Sequence, residues 1–122
     1  MARRRGTKPG RDALPDPVQA FRDRAIRDHD AARRLMAQLS SVPVARLARP
    51  LAELEALAHG LAGAGGTFGF PALSETAARV ERRLEGWRRA APATLTARQI
   101  VGLRRLVALM LAELDVVAGG PG

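Results

Sequence analysis

The chain has 122 residues, 47% hydrophobic and 26% charged, which is the size and composition of one globular domain and excludes a disordered polymer. Ala, Glu, Lys, Leu and Arg account for 66 residues against 15 Val, Ile and Thr, which favours helix over sheet; the absence of cysteine excludes a disulfide framework, a thiolate metal site and a catalytic thiol. The net charge of +8 raises nucleic-acid binding as a function class, but its distribution along the chain argues against that.

Five of the 20 basic side chains, Arg3, Arg4, Arg5, Lys8 and Arg11, fall in the first eleven residues, which hold no acid; the remainder carries 15 basic against 12 acidic groups, a net of +3. Gly6, Pro9 and Gly10 predict that residues 1–14 stay an unfolded basic tail. The aromatics are Phe21, Phe68, Phe70 and Trp87, none interleaved with the basic residues for base stacking, so nucleic acid is disfavoured as a partner. No apolar stretch follows Arg5, as a secretory signal requires. The longest apolar run, Leu106–Ala112, is far short of the roughly 20 residues that span a bilayer. The expectation is a cytoplasmic domain with no membrane partner.

Four segments carry apolar residues at helical spacing. The first runs from Asp16 to Leu39, with Pro17 in its first turn and Val18, Phe21, Ala25, Ala32, Leu35 and Leu39 on one stripe; Ser40, Ser41 and Pro43 end it. The second starts near Val44, carries Val44, Leu47, Leu51, Leu54, Ala58 and Leu61, and contains Pro50, which predicts a kink or a broken start. The third begins at Pro71, with Leu73, Ala77, Val80, Leu84 and Trp87, and ends before Pro92. The fourth follows Thr94 or Thr96 as cap and carries Ile100, Leu103, Val107, Met110, Leu114 and Val117, with Gly119 as its stop. Narrow stripes and short connections predict an all-α, antiparallel up-down four-helix bundle over residues 15–118, with a flexible end at 119–122.

The stretch between the second and third helices breaks the pattern. It holds Gly60, Gly63, Gly65, Gly66 and Gly69, each of which costs roughly 0.5–1 kcal/mol relative to Ala inside a helix. Close approach of another backbone is one reason for a helix to accept that cost. Thr67 follows Gly66 where a P-loop needs Lys, and Phe68 stands where a dinucleotide fingerprint needs its third glycine, so neither nucleotide motif fits. His59 lies about 100° from the core stripe, among Ala52, Glu55, Ala56, Ala62, Gly63 and Gly66. If the hairpin turns at Gly69, His59 and Glu81 stand about 15 and 18 Å from the turn and sit alike beside their stripes, which predicts a pair. A carboxylate accepting from Nδ1–H would leave Nε2 as the nucleophile. A solvated histidine and a chance neighbour is the plainer reading of the same residues. His29 is the other histidine, on another helix, so no metal site is expected.

The segment Ala58-His59-Gly60-Leu61-Ala62-Gly63-Ala64-Gly65-Gly66-Thr67-Phe68-Gly69-Phe70, followed by Leu73, Glu75-Thr76 and Glu81, resembles the histidine phosphotransfer (HPt) signature. Gly-Thr-Phe-Gly-Phe, Leu73 and Glu75-Thr76 are most similar to the phosphoacceptor domain of chemotaxis-type histidine kinases; the match covers about 25 residues and the surrounding helices agree only in number and order. The resemblance implies that His59 carries the phosphoryl group on Nε2, that Glu81 orients it, and that Gly63 leaves room for a partner. The docking surface would then comprise Ala56, Gly60, Ala62, Gly63 and Gly66. It implies a phosphocarrier rather than an enzyme, with a histidine kinase and the receiver domain of a response regulator as partners. No cofactor is expected on this chain, the Mg²⁺ being the receiver's. Ala62 departs from the pattern, because the family has Lys there, near a group of about two negative charges. Either Arg79, Arg82 or Arg83 compensates, or transfer is slow, or the domain docks receivers or kinases without accepting phosphate; retained activity is the reading taken.

Overall fold

A computed structural model describes residues 16–90 and 95–119. The basic tail at 1–14, the Thr94 cap and the last three residues lie outside the described residues. Four helices account for nearly all of the rest: α1, Pro17–Ser41; α2, Ala48–Thr67; α3, Pro71–Arg89; and α4, Ala97–Val117. A single 3₁₀ turn, Val44–Arg46, precedes α2. Each helix packs against its two neighbours in the order α1, α2, α3, α4 and back to α1, so the fold is the four-helix bundle the stripes predict. No described helix is long and apolar enough to cross a membrane.

Local chemistry sets each helix boundary. Asp16 caps α1 by accepting from the Val18 N–H at 2.9 Å, with Pro17 as the first helical residue. The helix ends at Ser41 because Val42 precedes Pro43 and takes an extended conformation. Pro50 does not kink α2. The chain makes its break earlier, in the 3₁₀ turn closed by Leu47 N–H to Val44 C=O, and α2 begins at Ala48. Pro50 is then the third helical residue, where an N–H has no intrahelical acceptor to lose. Gly69, at φ +86°, stops α2 in the left-handed region, and the Phe70 N–H closes the turn onto Gly65 C=O at 2.7 Å. Thr96 caps α4 through a capping box: its hydroxyl accepts from Gln99 N–H, and the Gln99 amide oxygen accepts from Thr96 N–H.

The core is apolar throughout. Phe21, Leu35, Leu54, Leu61, Leu73, Val80, Leu103, Met110 and Leu114 are among its members, and no polar side chain is buried among the described residues. Three expected stripe residues sit outside it. Val44 is exposed because it belongs to the 3₁₀ turn rather than to α2; Val18 and Trp87 are half-buried near helix ends. Phe21 stacks on Phe68 with centroids 5.2 Å apart and tilts against Phe70 at 5.8 Å. The start of α1 thereby seals the α2–α3 turn and sets the hairpin that carries His59.

Candidate functional site

Gly65 explains why α2 spends helix propensity on glycine. It is buried, and a Cβ there would lie 3.0 Å from the Ser74 nitrogen and 3.3 Å from the Phe70 carbonyl oxygen. The first turn of α3 therefore crosses α2 at backbone distance. One turn on, the Ser74 hydroxyl donates to the Ala62 carbonyl oxygen at 2.6 Å, an acceptor already engaged in the helix, and so fixes the register of the two helices. A second brace closes the far end of the seam. Arg88 donates from Nε and Nη2 to the two oxygens of Glu55 at 3.1 and 3.0 Å. That hydrogen bond and the Glu55 charge raise the Arg88 pKa.

His59 and Glu81 lie between the two braces. His59 Nδ1 and Glu81 Oε2 are 2.6 Å apart. An ionised carboxylate can only accept, so Nδ1 is the donor of this contact, and in the neutral tautomer the lone pair is then on Nε2. The imidazole is 77% exposed, whereas Glu81 is 29% exposed. The carboxylate is thus half-sheltered in the seam while the imidazole is largely open to solvent. Ala56, Gly63 and Gly66 are exposed around the ring, and Gly60 and Ala62 are half-buried. A Cβ on Gly63 would meet nothing within 4 Å. The ring therefore stands above a low surface of alanine and glycine, open to an approaching protein.

The three arginines named as replacements for the missing lysine are all on α3, the helix that bears Glu81. Arg83 extends toward α4, with Nη1 3.4 Å from where a Cβ on Gly102 would be. Arg79, one turn earlier on α3, shares that face, and Arg82 points about 100° further out than Glu81. None of them bonds to His59 or Glu81 among the described residues. His29 is on the opposite seam, where its Nε2 is 3.7 Å from Asp115 of α4. Sequence periodicity did not single out Ser74 or Arg88, although both fall on the α3 face that bears Glu81, which is the signal that finds them.

A family model described as Hpt domain matches residues 16–116. The chain belongs to the Hpt domain family. No curated protein and no solved structure matches it. Hpt domains are histidine phosphotransfer modules of phosphorelays, phosphocarriers rather than catalysts, and they interact with kinases and receiver domains. The matched span takes in α1, α2, α3 and all of α4 but its last residue, including both partners of the His59–Glu81 pair.

Proposed function

We propose that this Hpt domain accepts a phosphoryl group on Nε2 of His59 and exchanges it with the receiver domain of a response regulator or with a histidine kinase. The observation that carries the reading is the 2.6 Å contact between His59 Nδ1 and Glu81 beneath an exposed ring. With Nδ1 protonated, the Nε2 lone pair attacks the phosphorus of an acyl phosphate on the donor. The P–N bond forms as the P–O bond breaks, and the electron pair leaves on the donor's carboxylate. The imidazole then carries a positive charge, which the Glu81 carboxylate balances without moving. The chain supplies a positioned nucleophile and a cleared surface; Mg²⁺ and the reacting aspartate belong to the receiver. Ala56, Gly60, Ala62, Gly63 and Gly66 form the surface against which that receiver sits.

The second reading is a docking module that binds receivers or kinases without accepting phosphate. Ala62 in place of the family Lys is the observation in its favour. Incubation with a labelled phosphorylated receiver separates the two. Acceptance on His59 gives an acid-labile, alkali-stable label that His59→Gln abolishes. Receiver binding with no label on the wild-type chain refutes acceptance and leaves the docking module.

A further inference from the structure

The patch around His59 has no lysine on α2, but a cation reaches it from α1. The guanidinium of Arg24 lies across Gly60, the residue next to His59, with Nη2 2.8 Å from the position a Cβ would occupy there. Any other residue at position 60 would displace that guanidinium. Arg24 Nε donates to Asp28 Oδ2 at 3.0 Å, one turn along α1, and its terminal nitrogens make no hydrogen bond among the described residues. Asp28 is 17% exposed and Arg24 40% exposed, so the stem is anchored while the fork remains available. Several other arginines around the seam are engaged or extend away from it. Arg49 is paired with Glu53, Arg88 with Glu55 and Arg89 with Glu85, and Arg83 extends toward α4.

We propose that Arg24 is the phosphoryl-binding cation of this domain, supplied from α1 in place of the lysine that position 62 lacks, and that Gly60 is glycine so that its guanidinium can cross α2. The proposal rests on His59 being the acceptor. A phosphoryl group on Nε2 projects above Ala56 and Gly63, the same exposed strip of α2 that Gly60 borders. Neighbouring Cα atoms are about 3.8 Å apart, so the Arg24 fork over Gly60 starts one residue from His59, and the proposal requires it to swing from there to the phosphoryl oxygens. A planar guanidinium matches two of those oxygens at once, which an ammonium at position 62 would not. Asp28 holds Nε and aims the two terminal nitrogens outward.

The test phosphorylates the full chain with potassium phosphoramidate and follows phosphohistidine by ³¹P NMR. Nε2 attacks the phosphorus, the donor's P–N bond breaks, and ammonia leaves with the electron pair. Arg24→Gln is expected to slow acceptance by about ten- to a hundred-fold, the range of a lost charge-assisted hydrogen bond, with unchanged helix content and thermal midpoint. Arg24→Lys, or Ala62→Lys added to Arg24→Gln, is expected to restore most of the rate. Gly60→Leu, which evicts the guanidinium, is expected to mimic Arg24→Gln. A wild-type rate in Arg24→Gln overturns the proposal and leaves His59 as acceptor; a slow variant that neither lysine restores also overturns it, by making Arg24 structural. A wild-type chain that accepts nothing from phosphoramidate or from a phosphorylated receiver overturns both the acceptor reading and the role of Arg24.

Discussion

Helices α2 and α4 are of nearly equal length, 20 and 21 residues, and they contribute to the bundle in different ways. α4 buries Ile100, Leu103, Leu106, Val107, Met110, Leu114 and Val117, all large, in an unbroken stripe. The second half of α2 buries only Ala58, Leu61 and Gly65, and its outward face carries alanine and glycine around one histidine. α4 holds by bulk. α2 instead lets α3 approach at backbone distance and relies on placed hydrogen bonds, Ser74 to the Ala62 carbonyl and Arg88 to Glu55, on either side of the His59–Glu81 pair. The comparison teaches that the seam bearing the histidine is organised for register, because a slip of one turn along α3 would part the carboxylate from the imidazole while still turning an apolar stripe toward the core.

Substitutions at matched places can break that comparison. Met110→Ala empties a fully buried position on α4 and should lower stability by about 2–5 kcal/mol, read as a fall in the urea midpoint. Where the variant is folded, its rate of phosphoryl acceptance should equal that of the wild type; a slowed rate would show that bulk on α4 also sets the site. Gly65→Ala forces a methyl group against the Ser74 and Phe70 backbone and should destabilise by about 1–3 kcal/mol, although alanine is the better helix former. A stability gain in urea unfolding would mean that the two helices are not held at backbone distance.

Glu81→Gln keeps the shape of the pair but removes the charge, and should slow acceptance by about tenfold or more with the same urea midpoint. An unaltered rate would remove Glu81 from the mechanism. The smallest effect is expected at Gly63, where a methyl group meets open space: Gly63→Ala should stabilise by about 0.5–1 kcal/mol. Its receiver affinity, measured by calorimetry, should nevertheless fall, because the methyl group rises into the docking surface. Unchanged affinity would place the receiver elsewhere.

The features that repeat along the chain were legible in the sequence. The 3.6-residue period marked the four helices and most of the core, and a rise of 1.5 Å per residue sufficed to bring His59 level with Glu81 across a turn at Gly69. What depends on reach rather than on period was not legible. Arg24 arrives at Gly60 from a different helix at the end of a long side chain, which no spacing along α2 or α3 reveals. The Arg88–Glu55 brace was half legible: the period puts Arg88 on the face of Glu81, but does not give its reach to Glu55 on α2. Pro50 left a kink or a broken start open; the structure has the broken start, a 3₁₀ turn closed by Arg46 N–H to Pro43 C=O and Leu47 N–H to Val44 C=O, which leaves no hydrophobic signature. The glycines were read as a cost to be explained, and the explanation divides: Gly65 is required by α3, Gly69 by its positive φ, and Gly63 by neither.

The central claim is that Glu81 holds the Nδ1 proton so that chemistry occurs on Nε2. The most direct test is to phosphorylate ¹⁵N-histidine-labelled protein with a phosphorylated receiver and to read the ring nitrogens of His59 by long-range ¹H–¹⁵N and ³¹P NMR. Before phosphorylation, the account predicts an Nδ1 proton held by Glu81, and afterwards phosphorus on Nε2 with Nδ1 still bonded to Glu81. Phosphorus on Nδ1, or on any other residue of the chain, would contradict it.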